Sequence, residues 1–202
     1  MDNSNEIIKE LQKDVLNPEL IKDNKYPFYY NKKEYRIVMP TQQDLNNAST
    51  YRNNFYVKLL QQEGTVTLKQ LVKILKEKQD IDIEKLDKEI EQYNNDYLQA
   101  HLSLAKQKDT NEQSIEDWTN KINDLRDKKL ELILERAQYL APAIENQAQD
   151  AYYQYLTAYC TEVCDKENEW DKVWNSIKIY EDDRTKLANI ALGHLTELAM
   201  TV

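Results

Sequence analysis

Cys160 and Cys164 are four residues apart, a spacing that would put both thiols on one face of a helix. Two thiolates so placed make half of a tetrahedral zinc site, which needs further ligands. The two histidines, His101 and His194, are far off in sequence. A disulfide across one helical turn is strained, and a reducing compartment opposes it. The pair therefore reads as small buried side chains. His194, within Ala-Leu-Gly-His-Leu-Thr, reads as a packed polar group or a cap, and His101 as solvent-facing.

Carboxylates are plentiful, as at Glu84, Asp87, Glu89 and Glu91 or at Glu181, Asp182 and Asp183. They intermix with Lys85, Lys88 and Arg184, the pattern of solvated helix faces joined by ion pairs. General acid–base chemistry needs a carboxylate whose pKa a cleft has shifted, and no spacing here marks one. The Glu-x-x-His pairs of di-metal bundles do not occur. Two glycines in 202 residues argue against phosphate-cradling loops and nucleophile elbows, which need positive φ or close backbone approach. The expectation is a protein that is not an enzyme and holds no cofactor and no metal.

Aromatic contact is the chemistry that remains. Tyr29, Tyr30 and Tyr35 fall in the one β-like stretch, and Trp170 and Trp174 lie one helical turn apart in a less regular segment. Such side chains bury large areas and anchor protein partners, so these five are the candidate partner-binding residues. Trp118 falls on a helical seam and reads as core. The formal net charge of −9, with no strongly basic block, disfavours nucleic acid. No apolar run approaches the roughly 20 residues that span a bilayer. The opening Met1-Asp2-Asn3-Ser4-Asn5-Glu6 lacks the basic and apolar regions of a signal peptide, and a cytoplasmic location is expected.

The elements that must position these residues are mostly helical. Ile83, Leu86, Ile90, Tyr93, Tyr97, Ala100 and Leu104 recur at steps of three and four, the seam of a coiled coil. After the polar break Lys106 to Glu112 the pattern resumes at Ile115, Trp118, Ile122 and Leu125. A short connection predicts antiparallel arms, each reaching roughly 35–40 Å at about 1.5 Å per residue. Ile83, Leu86, Ile90 and Tyr93 are expected to face Trp118, Ile122, Leu125 or Leu132, or an equivalent helix from another subunit. Pro142 should end the second arm.

Residues 6–16 predict an amphipathic helix that Asn17-Pro18 interrupts. Residues 26–39 predict a β-hairpin turning at Asn31-Lys32-Lys33, the only regular β structure expected, with free edges that a partner could use. Thr41 with Asp44 and Thr67 with Gln70 read as helix-capping pairs, and Leu45, Ala48, Phe55, Leu59 and Leu60 as one buried face. Residues 151–163 predict another helical stripe, followed by a polar interruption at Asp165 to Glu169. A last helix begins near Asp182. The fold class is thus mainly α: a helical bundle with a long antiparallel α-helical hairpin, coiled-coil-like, and one small β-hairpin near the N-terminus. Three segments are expected: 1–79 with the N-terminal helix, β-hairpin and short helices; 80–141 with the long helical hairpin; and 142–202 with C-terminal helices packing back on the first.

Two stretches resemble proteins of the tail-morphogenesis regions of tailed bacteriophages, the tail assembly chaperones. One is Tyr26-Pro-Phe-Tyr-Tyr-Asn-Lys-Lys-Glu-Tyr-Arg-Ile-Val-Met-Pro-Thr-Gln-Gln-Asp-Leu, a hairpin running into a capped helix. The other spans Tyr152 to Leu195, with Tyr-Leu-Thr-Ala-Tyr-Cys-Thr, Val173-Trp174, a Glu-Asp-Asp turn and a closing Leu-Ala-Asn-Ile-Ala-Leu helix. The resemblance implies a non-enzymatic helper, in the host cytoplasm or the virion, that binds tail proteins such as the tape measure. It carries over no individual residue. The long central hairpin is not a required feature of such chaperones, and it leaves open a structural virion component of the tail or baseplate. The alternative is a cellular cytoplasmic adaptor that forms a homo-oligomer through its coiled-coil hairpin.

Overall fold

A computed structural model describes residues 24–106, 112–164, 169–183 and 185–201. The expected helix at 6–16, the arm tip at 107–111, most of the polar interruption at 165–168, and Arg184 lie outside the described residues. The protein is mainly helical, and the described chain divides into two compact units. One combines the residues up to Gln61 with those from Ala148; the other runs from Gln62 to Gln147. The expected segments divide instead at 79 and 141.

The first unit is built on a hairpin of β1 (Lys25–Tyr30) and β2 (Lys33–Val38). Its turn residues Asn31 and Lys32 both take positive φ, 49° and 63°, as a two-residue type I′ turn requires. Alternation sends Tyr26, Phe28, Tyr35 and Ile37 into the core. Thr41 opens α1 (Gln42–Leu60) with the full capping box: its hydroxyl accepts from the Asp44 N–H at 3.2 Å, and the Asp44 carboxylate accepts from the Thr41 N–H at 2.9 Å. Ala48 and Leu59 are buried as expected, but Leu60, the last residue of the helix, faces water.

The hairpin is not the only β structure. Helix α5 (Ile144–Cys160) passes directly into β3 (Thr161–Cys164), and β4 (Trp170–Lys172) completes an antiparallel sheet of order β1-β2-β3-β4. Tyr35, Arg36 and Ile37 pair with Val163, Glu162 and Thr161. The β-branched Thr161 and Val163 favour extended backbone, and the edge of β2 supplies the hydrogen bonds that a further turn of helix would have given them. Ser176 caps α6 (Ile177–Asp182), and α7 (Lys186–Thr201) closes the unit, burying Leu187, Ala191, Leu195 and Leu198.

In the second unit Thr67 and Gln70 form the other capping box and open α2 (Leu68–Gln79). Asp80 ends that helix in the left-handed conformation, φ 57°. The Asp82 carboxylate then accepts from the N–H groups of Glu84 and Lys85, at 3.0 and 3.2 Å, to start α3 (Ile83–Lys106). The return arm is α4 (Glu112–Leu140). Leu71 and Leu75 of α2 are buried with Ile83, Leu140 and Ala143. That contact draws α2 into this unit.

The arms are antiparallel, fixed by an Asp87–Arg136 ion pair and by Lys129 Nζ donating to Asn94 Oδ1 at 3.2 Å. This register corrects the expected seam. Ile83 packs with Leu140 at the base, not with Trp118, because base meets base in an antiparallel pair. Ala100 and Ile122 are the buried seam positions further out, Ile90 and Tyr93 are half-buried, and Ile115 is exposed. Trp118 is half-buried, with Lys121 Nζ 5.0 Å from its ring centre.

Candidate protein-interaction surface

Strand alternation decides which of the aromatic candidates a partner could meet. Tyr29 points away from the core and is 74% exposed. Tyr35, two residues from Ile37 on the inward row, is 7% exposed and stacks on Phe28 with ring centres 5.4 Å apart. Tyr30 is half-buried at the core's edge, 6.5 Å from Tyr35. Trp170 lies half-buried on β4, whereas Trp174 lies beyond the strand and is 2% exposed. The two tryptophans share no helix face, since the segment is a strand followed by a bend. The open face of the sheet therefore keeps Tyr29 and Trp170, and the core takes Tyr35 and Trp174.

Register assembles a charged row across that face. Arg36 lies opposite Glu162, and Glu162 opposite Lys172. Glu162 Oε2 accepts from Arg36 Nε at 2.7 Å and from Nη2 at 2.6 Å, while Oε1 accepts from Lys172 Nζ at 3.0 Å. The Arg36 guanidinium carbon lies over the Trp170 ring, 3.9 Å from its centre, an attractive contact of cation with π-face. Burial pushes the Glu162 carboxyl up. The hydrogen bonds and charges of Lys172 and Arg36 outweigh that and hold it below the ordinary glutamate value.

A group with a depressed folded pKa adds stability above its unfolded pKa and loses it as pH falls through the folded one. Glu162→Gln should therefore cost about 1 kcal/mol at neutral pH. The difference from wild type should vanish as the solution is acidified through and below the ordinary value near 4.5. Thermal melts of both proteins from pH 7 to pH 3 (about the range over which such a carboxylate titrates) check this. A constant difference across the series would show that the row contributes no charge-dependent stability.

The cysteines do not share a helix. Cys160 ends α5 and is buried, and burial pushes its thiol up to about 12, far from thiolate chemistry. Cys164 lies on β3, opposite Trp170. His194 is buried against Tyr26 and Phe28, ring centres 5.2 and 4.8 Å away, as a packed polar group. His101 is exposed and rests edge-on against Tyr97. Among the described residues no group of three or more His, Cys, Asp or Glu side chains could hold a metal ion, and no helix is long and apolar enough to cross a membrane.

An open hollow of about 380 Å³ is lined by Gln154, Tyr180, Glu181, Asp183, Asn189 and Leu192, among others. Its acids have structural partners. Asp183 accepts from Trp174 Nε1 at 2.8 Å and from the Thr185 N–H at 2.9 Å, and Glu181 accepts from the Tyr51 hydroxyl at 2.8 Å. Comparison with protein-family models, curated proteins and solved structures finds no match.

Proposed function

We propose that this chain is a non-catalytic interaction protein serving bacteriophage tail assembly, which presents the open face of its sheet to a tail protein such as the tape measure in the host cytoplasm. The observation that carries the interaction reading is Tyr29: a large aromatic ring left in water on a face whose neighbouring Arg36 and Trp170 are already fixed in place. Exposed aromatic rings held on a rigid sheet are what protein interfaces use as anchors. The tail-assembly reading draws on the resemblance of the segments Tyr26–Leu45 and Tyr152–Leu195 to tail assembly chaperones.

Affinity capture from infected cells, read by mass spectrometry, tests both parts. Wild type should recover tail proteins, and Tyr29→Ser should recover roughly tenfold less with unchanged circular dichroism. Equal recovery would move the contact surface off the sheet. Recovery of no tail protein, with the chain also absent from purified virions, would end the tail-assembly reading. Exposed Leu98 and Leu102, one turn apart on α3, favour the second reading of an adaptor that self-associates through its arms. Sedimentation showing a dimer that Leu98→Lys and Leu102→Lys dissolve would support it.

A further inference from the structure

The β-hairpin is a basic island in an acidic chain. Residues 24–39 hold Lys25, Lys32, Lys33 and Arg36 against Glu34, a net +3, which leaves −12 on the remainder of a chain totalling −9. Arg36 is committed to Glu162 and Trp170, and Lys172 to the same Glu162. Lys25, Lys32 and Lys33 make no ion pair among the described residues. Lys32 also occupies a position with φ of +63°, where glycine would avoid the conformational cost. A cation is held at the tip although the turn itself does not favour it there. The exposed Tyr29 lies on β1 between Lys25, at the strand's first residue, and the turn residue Lys32; Lys33, in register with Tyr30, is exposed at the start of β2.

We propose that Tyr29 with Lys25, Lys32 and Lys33 forms a docking site for an acidic extended segment of a partner polypeptide. This rests on the interaction reading above and names its partner chemistry. The lysines supply charge complementarity and Tyr29 an apolar platform. Strand addition along the whole edge is opposed by Pro27, which has no N–H to offer at the middle of β1. Side chains therefore do the recognising. A nucleic acid fits less well: a phosphate backbone needs a continuous track of cations. Three lysines with Glu34 among them are too few and too broken for such a track, whereas a short acidic segment needs only local charges.

The test uses the full chain and a short fluorescein-labelled peptide alternating Glu and Tyr, with a Lys-Tyr peptide and an oligothymidylate of equal length as competitors. Anisotropy should show binding of the acidic peptide. Raising salt from about 0.1 to about 1 M, which shortens screening from roughly 10 to 3 Å, should weaken it at least tenfold. The double variant Lys32→Glu, Lys33→Glu should lose binding roughly tenfold or more. Lys32→Gly should weaken binding while leaving the turn as stable or more so, separating charge from folding. Equal binding of the Lys-Tyr peptide, preference for the oligothymidylate, or unchanged binding by the charge-reversed variant would each overturn the proposal. If these peptides fail while wild type still captures tail proteins, only the acidic-segment inference falls. If capture fails as well, so does the interaction reading.

Discussion

Replacing Trp174 with Ala should destabilise the first unit by about 3–5 kcal/mol, the range for emptying a large buried aromatic site. Trp174 is almost wholly enclosed, meets Tyr180 edge-to-face at 4.9 Å, and donates its indole N–H to Asp183. Removing it opens a cavity and strips a donor from a carboxylate at once. Burial pushes the Asp183 carboxyl up, but the hydrogen bonds from Trp174 and Thr185 outweigh this and hold it low. Trp174→Phe should keep most of the packing and cost about 1–2 kcal/mol, the share due to the lost hydrogen bond. Urea denaturation of both variants, with amide exchange over residues 148–183, checks the ordering. Equal losses in the two would mean that the hydrogen bond, not the volume, holds this site.

Ile83→Asp should have a comparable effect confined to the other unit, at least about 3 kcal/mol. Ile83 is enclosed by Leu71, Leu75, Leu140 and Ala143, none of which can solvate a carboxylate. Ile90→Asp should cost less, since Ile90 is half-buried and its replacement can reach water. Amide exchange should speed up across residues 62–147 while the sheet and α7 stay protected. Exchange that rises equally in both units would show that they unfold as one.

What could be read from the sequence was mainly what neighbouring residues decide. Thr41 with Asp44, and Thr67 with Gln70, are three residues apart, and both form the boxes that their spacing implies. The seam of α3 and the alternation of the hairpin are likewise local periodicities. Strand β3 was hidden because Tyr159 and Cys160 continue the helical stripe up to its first residue. What turns the chain there is pairing with β2, a partner far away in sequence. The charged row was invisible for the same reason: Arg36 and Glu162 are 126 positions apart. Tyr35 was separable from Tyr29 in principle, since it alternates with Arg36 and keeps step with Ile37. The Trp170–Trp174 spacing misled because it has meaning only on a helix.

The first unit is discontinuous in sequence, with the second inserted between its halves, and this has a consequence for vectorial synthesis. The ribosome delivers β1, β2 and α1 first, then the whole of the inserted unit, and only afterwards β3, α7 and the residues that cover Tyr26, Phe28 and Ile37. At roughly 5–20 residues per second, β2 waits about 6–25 s for its β3 partner. During that interval the inserted unit, complete in itself, can reach its native contacts. The nascent hairpin meanwhile displays an apolar face and an unpaired edge, the kind of surface that cellular holdases bind.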